Sequence, residues 1–172
     1  SSGFRSLKTE VLGIRMDDHL SVTDLAKQIR FGSLVRYGEE TKGILIGVRL
    51  AGRLQIDVGD TLFLEYLGDK RRFRLAGIFE TGVGQYDLAR TFIHLEEARL
   101  LFNKPHGSSY LQVSLFDPDK APQVALRLEE TLQHNVDSWQ EREKTWLEVF
   151  RVLRFSSGLT MASIIVIAGL GM

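Results

Sequence analysis

No cysteine occurs in the 172 residues, so neither a disulfide framework nor a thiolate metal cluster can organise the fold. Proline is scarce, with three residues, and 44% of the chain is apolar, which argues against disorder. An excess of either charge is also missing: 22 basic and 22 acidic residues cancel, so there is no polyelectrolyte footprint for nucleic acid. Finally, one end of the chain lacks charge altogether. All the charged residues lie before Phe155, and the run from Phe155 to Met172 contains none.

That run, FSSGLTMASIIVIAGLGM, is still apolar where the sequence stops. A bilayer-spanning helix needs ~20 residues at a rise of 1.5 Å each, so the run reads as the first part of a transmembrane helix. It lies at the wrong end of the chain for a secretory signal peptide. Ser156, Ser157, Thr160 and Ser163 also fit a buried terminal helix of a soluble fold. Gly158 and Ala162, four apart, have the spacing that lets a second helix approach closely.

Before Arg154 the pattern changes element every ten to fifteen residues, roughly, without repeats or a linker rich in Pro, Gly or Ser, and is read as one domain. Thr9 to Ile14 has the β-branched content of a strand, and Ser21 to Ile29 reads as a helix capped by Ser21 or Thr23. Gly43 to Ile46 suits a strand, followed by Val48, Leu50, Ala51 and Leu54 at helical spacing. Asp60 to Tyr66 and Arg71 to Phe79, joined by Leu67-Gly68-Asp69-Lys70, form the clearest hairpin signal. There Arg72 and Arg74 alternate with Phe73 and Leu75, which predicts wet arginines over an apolar inner face.

Beyond the hairpin, a glycine-rich loop (ETGVGQYD) leads to a strand at Arg90 to His94 and a helix at Leu95 to Phe102. Tyr110 to Phe116 reads as a further strand. Asp117-Pro118-Asp119 then opens a helix from about Lys120 to His134 with Val124, Leu128 and Leu132 along its apolar stripe. From Gln140 to Arg154, Trp146, Val149, Phe150 and Leu153 keep helical spacing without Gly or Pro, so one helix can run from the domain into the uncharged segment.

Catalytic signatures are absent from this sequence. There is no G-x-x-x-x-G-K-[ST] loop and no G-x-S-x-G elbow. Gly82-Val83-Gly84 begins a G-x-G-x-x-G pattern, but Asp87 stands at the third glycine. His19, His94, His106 and His134 are scattered without metal-ligand spacing. Glu96 and Glu97 are adjacent on a predicted helix start, where the macrodipole favours acids. No catalytic, cofactor-binding or metal-binding residue is expected. The basic cluster Lys70, Arg71, Arg72 and Arg74 is either the solvated face of the hairpin or a contact for an acidic partner or anionic lipid.

The segment ILIGVRLAGRLQIDVGDTLFL resembles a G-x-x-L-A-x-x-L-x-[VI]-x-x-G-D pattern of ABC-transporter permeases, through Gly47, Leu50, Ala51, Leu54, Ile56, Gly59 and Asp60. The resemblance is to the extracytoplasmic domains of the MacB/FtsX superfamily, which includes both the lipoprotein-releasing (LolC/LolE-like) and the macrolide-exporter (MacB-like) permeases. Further stretches resemble the lipoprotein-releasing branch: Gly77, Phe79, Tyr86 and Asp87 in FRLAGIFETGVGQYDLARTFIHLEEARLLF, the helix entry LFDPDKAPQVALRL, and Trp139, Gln140, Leu147 and Phe150 in WQEREKTWLEVFRVLR.

The resemblance implies an α+β fold, a mixed-sheet periplasmic domain of MacB-like permeases over residues 1–139, a connecting amphipathic helix over 140–154 and a truncated transmembrane helix over 155–172. It also implies an inner-membrane, multi-pass protein without catalysis or cofactor. The implied partners are a cytoplasmic ABC ATPase subunit, a second permease subunit or a homodimeric copy, lipoprotein cargo, membrane lipid and a periplasmic lipoprotein carrier. Leu67 to Lys70 stands where the carrier-binding permease has a long protruding hairpin, so the hookless permease or a fused homodimeric relative fits better. Arg151 and Arg154 before the uncharged run favour a cytoplasmic flank and Glu148 dilutes that signal, so the periplasmic placement comes from the resemblance. The chain is expected to be a fragment cut at both ends. Alternatives are a MacB-like exporter, an FtsX-like signalling permease, or a membrane-tethered extracytoplasmic binding module.

Overall fold

The computed structural model describes residues 6–107 and 110–142. The chain divides into two compact units, Ser1–Gln112 and Val113–Met172, each taken by itself below.

The first unit is built on a six-stranded mixed sheet. Its strands are β1 (Glu10–Ile14), β2 (Ile29–Gly32), β3 (Gly43–Gly47), β4 (Thr61–Tyr66), β5 (Asp69–Phe79) and β6 (Arg90–His94). The order is β1-β6-β3-β5-β2, with β4 pairing β5 off that path. β1 and β6 run parallel, as do β3 and β5, whereas β3 opposes β6 and both β2 and β4 oppose β5. The helices are α1 (Met16–Val22), α2 (Leu25–Gln28), α3 (Leu34–Glu39), α4 (Val48–Leu54), α5 (Gly84–Ala89) and α6 (Leu95–Leu101).

β5 explains how one strand carries two sequence patterns. Its first half pairs β4, from Asp69↔Tyr66 to Arg74↔Thr61, and alternates exposed Lys70, Arg72 and Arg74 with buried Phe73 and Leu75. Its second half lies between β3 and β2, and Leu75 to Phe79 is buried throughout, as a strand covered on both faces must be. Opposite Ile44 and Leu45 the register shifts by one residue, because Ile44 faces Leu75 while Leu45 faces Gly77. That bulge at Ala76 moves the phase of the side chains from one face to the other.

Two cores result. On one face Ile44, Ile46, Phe73, Leu75, Ile78 and Ile93 pack with Leu50 and Ala51 of α4 and Ala98 and Leu101 of α6. On the other, Leu45, Ala76, Phe79 and Phe92 pack with Leu25 and Tyr37. Each fully buried Leu, Ile or Phe contributes ~1.5–3 kcal/mol.

Several local expectations fail for identifiable reasons. The helix expected over Ser21 to Ile29 breaks at Thr23, whose backbone is extended at φ −138. The two hydroxyls taken as caps bond backwards instead, Ser21 Oγ to Asp18 O at 2.7 Å and Thr23 Oγ1 to His19 O at 2.8 Å. They thereby close α1, and Ile29 enters β2 where β5 offers a partner. The glycine-rich loop contains α5. Tyr110 to Phe116 forms no strand: its alternation specifies a face, but no ladder partner lies beside it among the described residues.

In the second unit, Asp117 Oδ1 accepts from Asp119 N at 3.2 Å and opens a 3₁₀ turn at Pro118–Lys120 that leads into α7 (Ala121–Leu132). The buried position of α7 is Ala125, flanked by half-buried Val124 and Leu128, while Leu132 is exposed. α8 (Trp139–Arg142) follows. No helix among the described residues is long and apolar enough to cross a membrane. The uncharged run from Phe155, and the connecting helix beyond Arg142, lie outside the described residues.

Candidate functional site

Of the residues singled out in the sequence, Gly47, Tyr86 and Asp87 lie where β3 passes into α4 and α5 packs on it. Gly47 ends β3 and its backbone starts α4 directly. A Cβ at Gly47 would sit 2.2 Å from the carbonyl oxygen of Asp87. Only glycine admits α5 this close, so Gly47 and Asp87, forty residues apart, form one contact. Asp87 is 2% exposed, and its Oδ1 accepts from Thr81 N and Thr81 Oγ1, both at 2.8 Å. The carboxylate thus closes the loop between β5 and α5. Arg49 on α4 lays its guanidinium against Gly84, where a Cβ would come within 2.6 Å of Arg49 Cζ. Tyr86 faces Arg90, whose guanidinium carbon lies 4.0 Å from the ring centre, a cation–π pair.

The remaining residues hold the scaffold of this cluster. Leu50 and Ala51 belong to the first core, with half-buried Leu54 and Ile56 against it. Gly59, at φ +101, allows a turn in which Gly59 N donates to Leu75 O at 2.7 Å. Asp60 Oδ2 accepts from Asp57 N at 2.8 Å, and Leu75 N donates to Asp60 O at 2.8 Å. The turn thus stitches the entry of β4 to the middle of β5. Gly77 lies against Leu45, where a Cβ would meet Leu45 Cδ2 at 3.1 Å. Trp139 and Gln140 are in the second unit, where Trp139 Nε1 and Gln140 Nε2 both donate to Pro118 O, at 3.0 and 3.2 Å. Phe150 lies outside the described residues.

The basic cluster is divided by the pleat of β5. Lys70, Arg72 and Arg74 share the exposed face with Phe63, over which the Lys70 ammonium sits 4.7 Å from the ring centre. Arg71 points to the opposite face and pairs with Asp69 at 3.1 Å. Arg74 donates to Gly59 O at 3.3 Å and pairs with Glu40 at 3.8 Å. Leu67 and Gly68, both at positive φ, turn the hairpin in two residues and leave Leu67 90% exposed.

Sequence reasoning missed three further groupings. His94 Nε2 lies 2.8 Å from Tyr37 O and 3.1 Å from Glu40 O, and its ring stacks on Tyr37 at 4.2 Å. Since both neighbours are carbonyls, that nitrogen must carry the proton. The Tyr37 hydroxyl is buried without a hydrogen-bond partner among the described residues, and burial pushes its phenol above the usual range. Burial, and secondarily the Arg90 charge, push the His19 imidazole below its ordinary value. Ser138 and Glu141 form a reciprocal cap, Ser138 N to Glu141 Oε2 at 3.0 Å and Glu141 N to Ser138 Oγ at 3.3 Å; the S-x-x-E spacing signalled it. Among the described residues no three His, Asp or Glu side chains converge as metal ligands. The arrangement works by position: Gly47, Thr81 and Asp87 lock α4, α5 and β3 together.

No family model matches the chain. It is similar to the lipoprotein-releasing system transmembrane protein LolC of Xylella fastidiosa, 23% identical over 175 residues that cover 95% of this chain and 42% of the relative, in each of two strains. It is also similar to the protein of the same name from Neisseria meningitidis serogroup B, 23% identical over 138 residues that cover 73% of this chain and 33% of the relative. The chain therefore spans less than half the length of these relatives. This is a LolC-like relationship at low identity.

Proposed function

We propose that this chain is the extracytoplasmic part of a lipoprotein-releasing ABC permease and is not itself catalytic. The observation that carries the reading is the similarity to LolC along 95% of the chain. The Gly47–Asp87 contact supports it, because residues picked out by resemblance alone meet in space and fasten three elements. In this reading residues 1–139 are a MacB-like periplasmic domain, residues 140–154 a helical connector and residues 155–172 the start of a transmembrane helix in a multi-pass inner-membrane protein. A cytoplasmic ABC ATPase and a second permease subunit, or a second copy, complete the transporter. ATP hydrolysis moves the membrane helices, the connector passes that motion to the domain, and a lipoprotein leaves the membrane. The two-residue turn at Leu67 and Gly68 supports a hookless permease, for which the carrier is recruited elsewhere.

Reconstitution of the full-length permease with its ATPase in vesicles that hold a lipidated protein tests this. ATP-dependent release of the lipidated protein is expected. An assembled complex that hydrolyses ATP and releases nothing overturns the reading.

A further inference from the structure

We propose that the β4–β5 hairpin lies with its basic face on an anionic lipid surface and sets Leu67 into the headgroup layer. Leu67 is almost wholly exposed at the apex of a two-residue turn, with Gly68 after it, and both residues have positive φ. Such a turn favours Asn, Asp or Gly at its first position, because a left-handed backbone brings the Cβ of any larger L-residue too close to its own chain. With its side chain exposed, Leu67 recovers little of that cost by packing. An unfavourable backbone conformation and an exposed apolar side chain thus coincide at one residue, and together they point to a contact outside the chain.

The face that runs back from the turn fits lipid. Phe63 is 49% exposed on it, with Arg72 as its cross-strand neighbour and the Lys70 ammonium 4.7 Å from its ring centre. Lys70 stands opposite Glu65 in register and Arg74 pairs with Glu40, whereas Arg72 makes no ion pair among the described residues. The face therefore keeps a net positive charge. An apolar tip, an aromatic ring and cations beside that ring are the residues of segments that lie in the interface of anionic membranes. A convex apex carrying one leucine enters a fluid headgroup layer without a preformed pocket, which favours a bilayer over an acidic protein. The Tyr66 ring packs edge-on against Phe102 at 4.9 Å, so the apex is braced by the body of the first unit. The presence of a bilayer rests on the reading of residues 155–172 as the start of a membrane helix; the hairpin's affinity for anionic lipid does not.

The test uses the full chain, which has no native cysteine, with a nitroxide attached through Leu67→Cys, through Val35→Cys as an exposed control, or through Ile164→Cys. Each is mixed with vesicles of phosphatidylglycerol or of phosphatidylcholine, and the ratio of collisions with oxygen to collisions with a water-soluble nickel chelate reads the depth of the label. On phosphatidylglycerol the ratio at position 67 is expected to rise at least roughly threefold over its value on phosphatidylcholine, and Arg72→Glu or molar salt to abolish that rise. The ratio at position 35 should stay unchanged. No rise at position 67, or an equal rise at position 35, overturns the proposal. The label at position 164 reports the membrane-helix reading separately, so either can fail while the other stands. In the unlabelled chain Leu67→Asn should raise the urea midpoint or leave it unchanged; a lowered midpoint gives the leucine a structural role and overturns the proposal.

Discussion

His19 sits on α1 with its ring 5.2 Å from Phe92 and the Arg90 charge nearby. Burial and that charge lower its proton affinity below the ordinary value of 6.5. The unfolded chain then binds more protons than the folded one between the folded value and 6.5, so stability falls as pH drops through this window. Urea unfolding at pH 8 and pH 5 should show a loss at pH 5 that shrinks in His19→Gln. Gly47 offers a second test at this scale. Its φ of −72 suits any residue, so Gly47→Ala is penalised only by contact with the Asp87 backbone, at about 1–3 kcal/mol. Gly52, within α4 and with open space around its missing Cβ, is the control. Gly52→Ala should stabilise by ~0.5–1 kcal/mol, and both shifts are read from denaturant midpoints. Gly47 stood out in the sequence as part of a pattern. The reason for glycine there did not, because its neighbour is forty residues away.

Among the elements, α6 on β1 gives the sharpest case of packing set by a missing atom. Gly13→Ala drives a methyl into Ala98 and should cost about 1–3 kcal/mol. Ala98→Gly alone should cost about 1 kcal/mol through helix propensity. Combined, they should be less destabilising than the two costs added, a coupling that a double-mutant cycle measures. The β4–β5 hairpin and the strand Arg90 to His94 were legible because period-two alternation and turn residues act locally. The break at Thr23 was not, since Ser and Thr carry the same hydroxyl whether they cap the next helix or close the one before. β2 and α3 left no clear pattern: Ile29 to Gly32 is a strand because β5 holds it, and its outer face exposes Phe31 at 60%.

For the whole molecule, the sequence by itself determined the alternation of elements, the two textures of β5, the division between a charged body and an uncharged end, and a pattern similar to lipoprotein-releasing permeases. Each of these is written in neighbouring residues, in periods of two or 3.6, or in charge that simply stops. Tertiary structure decided what depends on partners distant in the chain. It placed β1 beside β6 and β3 beside β5, shifted the side-chain phase at Ala76 and buried Asp87 under Gly47. It also split the basic cluster, leaving Lys70, Arg72 and Arg74 on one face and Arg71 on the other. Among the described residues it gives Tyr110 to Phe116, whose alternation alone promised a strand, no ladder. A strand needs an edge to pair with and a glycine needs a neighbour to make room for, and neither the edge nor the neighbour is encoded where the residue stands.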